Sequence, residues 1–217
     1  MTCCHCQDAT RVFTAGIARR EVRRYRRKGP DGTTRIILEA LESHDARRGS
    51  LLDVGGGIGV IVHELLEGGV REATLVEAAP AFLAAAEAEA ARRGQAERVH
   101  FVHGDFVEIA DGQPRADTVT LDRVVCCYPD CEGLVAAAAS KADRLLVLSY
   151  PRDRWFVKAV LGTINLSRWL VRSAFRVFVH PPGRMRELIE AAGFRREIVR
   201  DTPFWQIAVF GRTDSLD

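Results

Sequence analysis

Short continuous apolar runs trade places along the chain with longer stretches whose apolar residues recur every three or four positions. Ser50-Leu51-Leu52-Asp53-Val54 runs into a glycine cluster and predicts a buried parallel strand, because a strand covered on both faces has no polar side to alternate with. Val60 to Glu67 predicts a helix and Ala73 to Glu77 a second strand. Pro80 opens an alanine-rich helix to about Arg93, proline being well suited to a first helical turn. Val99 to His103 and Ala116 to Leu121 predict strands three and four, Leu134 to Lys141 a helix, and Arg144 to Tyr150 strand five. Arg184 to Ala192 predicts a helix closed by Gly193, and Phe194 to Arg200 and Trp205 to Phe210 two closing strands. Upstream, Gly29-Pro30-Asp31-Gly32 signals a turn, with Thr33 or Thr34 placed to cap a helix over Arg35 to Ser43. Repeated strand–helix exchange predicts an α/β fold, a parallel sheet with helices on both faces.

Residues 1–47 read as an N-terminal arm or cap belonging to the same domain, and 48–217 as the sheet domain. Trp155 to Phe178, rich in bulky apolar and basic residues, reads as a helical cover at about 153–178. A length of 217 residues suits one domain with an appended arm, and 47% apolar residues suffice for a sizeable core. The net charge of +2 supplies no overall field for nucleic acid, so no nucleic-acid partner is expected. Arg19 to Lys28 is nonetheless strongly basic, a solvated helix face or an arm for an acidic group. No apolar stretch precedes Arg11, and charges interrupt the longest apolar candidate, so a cytoplasmic protein without a transmembrane segment is expected. Cys3, Cys4 and Cys6 form one thiol cluster, and Cys126, Cys127 and Cys131 another. They do not supply the paired C-x-x-C units of a zinc ribbon, so reduced thiols and no metal are expected.

The densest chemical signal is Asp53-Val54-Gly55-Gly56-Gly57-Ile58-Gly59, fed by a strand and left by a helix. Glycines let a ligand approach backbone, and a helix N-terminus offers amide donors. A dinucleotide fingerprint, G-x-G-x-x-G or G-x-G-x-x-A, is not met: the third position falls on Val60 or Val62. An acid at the strand end also sits badly with a pyrophosphate. Glu77 ends strand two, where an acid can accept from both hydroxyls of a ribose. Gly104-Asp105-Phe106 follows strand three and Asp122 ends strand four, so acids and glycines mark four successive strand ends.

This D-x-G-x-G-x-G run resembles motif I of class I S-adenosylmethionine-dependent methyltransferases. The resemblance implies an enzyme with a Rossmann-like, seven-stranded, mostly parallel sheet whose last strand is antiparallel, using S-adenosylmethionine. It implies that Asp53, Gly55, Gly57 and Gly59 hold the amino-acid end and Glu77 the ribose. Asp105 then takes the adenine amine, Phe106 the adenine ring, and Asp122 lies near the methionine moiety or the acceptor. Arg123 to Asp130 is also faintly similar to the strand-four segment of magnesium-protoporphyrin O-methyltransferases, with a departure: Cys127 stands where that family carries histidine.

The acceptor-side candidates are Tyr25, Asp122, Cys127, Tyr128, Tyr150 and His180. If the segment after strand four is extended, Cys127 faces the pocket and Cys126 faces away. A small-molecule acceptor, bulky or hydrophobic, is the primary reading. Two alternatives stay open: methylation of a thiol or soft metal or metalloid through the cysteines, and a non-catalytic cofactor-binding sensor. Nothing in the pattern specifies an oligomeric state.

Overall fold

The computed structural model describes residues 10–44 and 49–213. Two helices, α1 (Ala15–Lys28) and α2 (Gly32–Glu42), precede the sheet. The order is then β1 (Ser50–Val54), α3 (Val60–Glu67), β2 (Glu72–Glu77), α4 (Pro80–Arg92), β3 (Val99–His103), the short α5 (Phe106–Ile109) and β4 (Ala116–Asp122). A 3₁₀ turn (Val125–Cys127), α6 (Cys131–Lys141), β5 (Ala142–Pro151), α7 (Trp155–Leu170), α8 (Pro182–Ala191), β6 (Phe194–Asp201) and β7 (Trp205–Arg212) complete it.

The seven strands lie in the order β3-β2-β1-β4-β5-β7-β6. All pairings from β3 through β5 are parallel, and β7 runs antiparallel to both of its neighbours. The direction of winding reverses between β1 and β4, so a crevice opens outside their carboxyl ends, where open α/β sheets bind ligands.

The sheet's alternation sorts its core into two layers. Leu52, Val54, Val119, Leu121 and Leu148 face α6 and α8. Leu51, Leu75, Val147 and Val209 face α2 and α3. Neither layer meets water, which is why Leu51 and Leu52 of β1, which face opposite layers, are both apolar and buried. Helix α1 packs over α4, burying Ala18 and Tyr25 with Ile58 and Phe82. Its arginines at 19, 20, 23, 26 and 27 stay exposed, the solvated-face reading of the basic run.

Two expectations need correction. Neither Thr33 nor Thr34 caps α2: Asp31 does, its side chain accepting from the Thr34 amide at 3.0 Å. The helical cover also stops at Leu170 rather than continuing to Phe178. Arg172 enters the left-handed region (φ 57°), and the following segment is held extended by Asn165, which donates to the Val177 carbonyl and accepts from its amide, both at 2.8 Å. The N-terminal thiols Cys3, Cys4 and Cys6 lie outside the described residues. Among the described residues, no helix is long and apolar enough to cross a membrane.

Candidate active site

A cavity of about 620 Å³ opens at the carboxyl ends of β1, β2 and β4, roofed by α1, α7 and the irregular segment that follows α7. Its floor is the glycine turn. The amide of Gly55 donates to the Val76 carbonyl at 2.7 Å, tying the turn to β2. Gly55 sits at φ 64°, and a Cβ there would lie 2.6 Å from Val124. At Gly56 a Cβ would lie 2.5 Å from an Asp53 carboxylate oxygen. The backbone is therefore the wall, without side chains between it and a ligand.

Asp53 is buried. Its Oδ1 accepts from the Thr120 hydroxyl at 2.6 Å, while Oδ2 has no hydrogen-bond partner. Burial pushes the carboxyl up to about 7, against the Thr120 hydrogen bond and with help from the negative charges of Asp122 and Glu77. Glu77 accepts from the Gly57 amide (2.9 Å) and the Ala79 amide (2.7 Å). Burial raises its carboxyl too, partly offset by those amides. Asp105 caps α5 through the Val107 amide at 3.1 Å and takes the Tyr128 hydroxyl on both oxygens, at 3.0 and 3.1 Å. Phe106 is buried beside it in the cavity wall.

Asp122 lines the same space but is already heavily engaged. It accepts from Ser149 at 2.5 Å, Thr34 at 2.8 Å and Arg123 at 3.1 Å, and Arg123 reaches Asp31 at 2.7 Å. This network bolts the N-terminal arm to the end of β4. Sequence reading did not foresee Thr34 and Asp31 here, because their partners lie about ninety residues away.

The cysteines depart from expectation. Residues 125–127 form a 3₁₀ turn rather than an extended strand, so Cys126 does not point away from Cys127. Both sulfurs approach the Arg123 carbonyl, at 3.3 and 3.6 Å, and lie 3.7 Å apart, and both residues line the cavity. The contact with Cys126 draws the Cys127 thiol below its ordinary value, helped by the Arg168 and Arg123 cations against burial; the same contact and burial push Cys126 well up. Cys131 starts α6 inside the core, its thiol pushed up to about 12 by burial. Among the described residues no three metal-ligating side chains converge, so the soft-metal alternative finds no support there.

Three acceptor-side candidates do not line the cavity. Tyr25 is buried between helices, donating to Glu64 at 2.5 Å, stacked on His63 and covered by the Arg93 guanidinium. Its spacing with Ala18 turns it towards α4 rather than the sheet end. Tyr150 is buried on β5 and donates to Gln206 at 2.8 Å. His180 contacts the Tyr128 carbonyl at 3.0 Å and packs against Phe178, bracing Tyr128 from behind. Asp122, Cys127 and Tyr128 of that group line the cavity.

Arg168, which the sequence reading passed over, also lines it. Three arginines do so, but Arg24 pairs with Glu21 and Asp31, and Arg123 with Asp31 and Asp122. Arg168 has no acidic partner among the described residues: its guanidinium lies 4.8 Å from the Phe175 ring centre, and its buried Nε has no acceptor. The signal was in the sequence, since Val157, Leu161, Ile164 and Arg168 share the inward stripe of α7 at helical spacing.

Acids at the ends of β1, β2 and β3, set around a glycine turn at the switch point of this sheet, define the class I S-adenosylmethionine-dependent methyltransferase architecture. A family model described as a methyltransferase domain matches residues 22–197, and the chain belongs to that family. Over 177 residues it is 27% identical to the 3-amino-4-hydroxybenzoate 4-O-methyltransferase of Streptomyces cremeus, a match covering 78% of this chain and 47% of that protein. The chain thus spans about half the length of this curated relative. Its fold is similar to magnesium protoporphyrin IX methyltransferase from Synechocystis, solved with bound S-adenosylhomocysteine (TM-score 0.69, 20% identity, 88% of this chain and 94% of that one). It is likewise similar to 1,6-didemethyltoxoflavin-N1-methyltransferase from Burkholderia thailandensis, solved with 1,6-didemethyltoxoflavin and S-adenosylhomocysteine (TM-score 0.64, 20% identity, 94% and 91%).

Proposed function

We propose that the protein transfers the methyl group of S-adenosylmethionine to a bulky, largely apolar small molecule that carries an acidic group. The observation that carries this reading is the buried, unpartnered Asp53 oxygen beside the bare backbone of Gly56. A buried carboxylate oxygen without a donor is costly unless a ligand supplies one, and an ammonium group does so. The residues present therefore fit the cofactor. Asp53 and the turn Gly55, Gly57 and Gly59 hold its amino-acid end. Glu77, pinned by two backbone amides, keeps lone pairs for the ribose hydroxyls. Asp105 and Phe106 receive the adenine, with Tyr128 fixing the Asp105 carboxylate. Asp122 acts one step back, by holding the arm against the sheet.

When bound, the cofactor supplies an electrophilic methyl group on a sulfonium. The chain's part is alignment and exclusion of water, since in-line displacement gains most from a held geometry. Phe13 and Phe175, in edge-to-face contact at 5.7 Å, together with Leu161 and Ile164, form the apolar roof. Arg168 offers the acceptor's acidic group a cation that no protein carboxylate has taken among the described residues. Cys127 and Tyr128 line the same cavity, Tyr128 hydrogen-bonded to the adenine-side Asp105.

Incubating cell extract with the protein and a deuterated-methyl cofactor, followed by mass spectrometry, should show label in a small, acidic, apolar metabolite. Label confined to protein or RNA would overturn the acceptor class, and cofactor binding without any turnover would point to a sensor. With the labelled acceptor, Arg168→Leu should raise KM by roughly 10- to 100-fold, the loss of a charge-assisted hydrogen bond, while S-adenosylhomocysteine affinity stays within about twofold.

A further inference from the structure

Helix α7 is apolar on both sides. Its inward stripe lines the cavity, yet its outward stripe, Trp155, Ala159, Gly162, Leu166 and Trp169, holds no charge. At 3.6 residues per turn these five positions fall within an arc of about 80°. Trp155 is 82% exposed, Leu166 57% and Trp169 63%, and two further exposed apolar residues, Leu170 and Val171, at 67% and 75%, close the helix beside it. Water-facing helix stripes normally carry the charged residues, and a contiguous apolar patch of this kind marks a surface that meets something.

Charge says what that something is. Between Asp153 and Glu187 the chain has no acidic residue, while Arg154, Lys158, Arg172 and Arg176 flank the stripe. Lys158 pairs with Asp153 at 2.5 Å; Arg154 and Arg172 have no acidic partner among the described residues. A second copy docked through this stripe would set Arg154 and Arg172 of the two copies against each other, with Asp153 already paired to Lys158. An anionic bilayer accepts both halves of the pattern: tryptophans settle at the headgroup level, and lysine and arginine reach the phosphates.

We propose that α7 docks the protein on the surface of a bilayer containing anionic lipid, with Trp155, Leu166 and Trp169 entering the interface. The inference does not depend on the methyl-transfer reading. It adds to that reading a geometry in which the roof of the acceptor cavity lies against the membrane, with Ile17, a cavity-lining residue that is 42% exposed, beside the mouth.

The test is sedimentation of the full chain with vesicles of phosphatidylcholine mixed with phosphatidylglycerol, and of phosphatidylcholine alone, with light scattering of the free protein. Binding should be strong to the mixed vesicles, weak to the neutral ones, and reduced by salt. Trp155→Ser combined with Trp169→Ser should abolish it. Lys158→Gln with Arg172→Gln should weaken it roughly 25-fold, about fivefold per basic residue near an anionic surface. These side chains are exposed, so melting temperature and S-adenosylhomocysteine affinity should match the wild type in every variant. Absence of binding to either vesicle, or mixed-vesicle binding unchanged in the tryptophan variant, overturns the proposal. So does a concentration-dependent dimer that the tryptophan variant abolishes, because the stripe would then be covered by a second copy.

Discussion

The two walls of the cavity are built on different principles. On the cofactor wall the acids are held from the sheet and its turns: Glu77 by the Gly57 and Ala79 amides, Asp105 by the Val107 amide, and Asp53 by the Thr120 hydroxyl of the neighbouring strand, under the glycine turn. On the acceptor wall the contributors come from α1 and the residues just before it, from α7 and from the segment after α7, joined by side-chain contacts such as Phe13 with Phe175. The first wall is rigid because the strands that carry it are buried on both faces. The second can change residue by residue without disturbing the sheet. A family can thus hold one cofactor and vary its acceptor.

Substitutions that break the backbone wall should have the largest effect. Gly55→Ala places a Cβ 2.6 Å from Val124 at φ 64°, combining a left-handed strain of about 1–2 kcal/mol with overpacking of about 1–3 kcal/mol. Urea denaturation should show that loss, and calorimetry should show no measurable cofactor binding. Glu77→Ala comes next. Removing a charged acceptor should weaken S-adenosylhomocysteine binding by roughly 1.5–3 kcal/mol by calorimetry, with folding largely kept; unchanged affinity would remove Glu77 from the site.

Protonation tests Asp53 without mutation. Its folded value is raised by burial to about 7, above the ordinary carboxylate value. The stability it contributes is therefore complete at low pH and lost as pH rises through about 7. A ligand ammonium needs the ionised form, so cofactor affinity should rise about tenfold between about pH 6 and pH 8, with a proton released on binding at the lower pH. Asp53→Asn should flatten that profile, and an equally steep profile in the variant would assign the titration elsewhere. The smallest effect belongs to Tyr128. Tyr128→Phe removes one hydrogen bond to Asp105 and should weaken cofactor binding by about 0.5–1.5 kcal/mol, measured by calorimetry.

The apolar pattern determined the elements: β1, α3 and β3 fall where their runs and periodicities place them, and the strand-end acids were legible because each lies within two residues of the end of its strand. Local chemistry also placed the glycine turn, since only a residue without a Cβ fits between β1 and Val124. What the chain could not announce is which distant side chains would meet. Asp122 looked like a ligand-facing acid, and the fold spends it on Thr34, Arg123 and Ser149. Tyr25 looked like a pocket residue, and the crossing of α1 over α4 buries it against Glu64 and His63. Cys126 was assigned to the opposite face from Cys127, and a 3₁₀ turn brings both sulfurs to one carbonyl. Arg168 emerged as a cavity cation only once Asp31, Asp122 and Glu21 were seen to be spent on the other arginines. Periodicity and strand-end position are properties of neighbouring residues, so the sequence carries them; the pairing of charges across thirty to ninety residues depends on how helices cross the sheet, and only tertiary packing decides it.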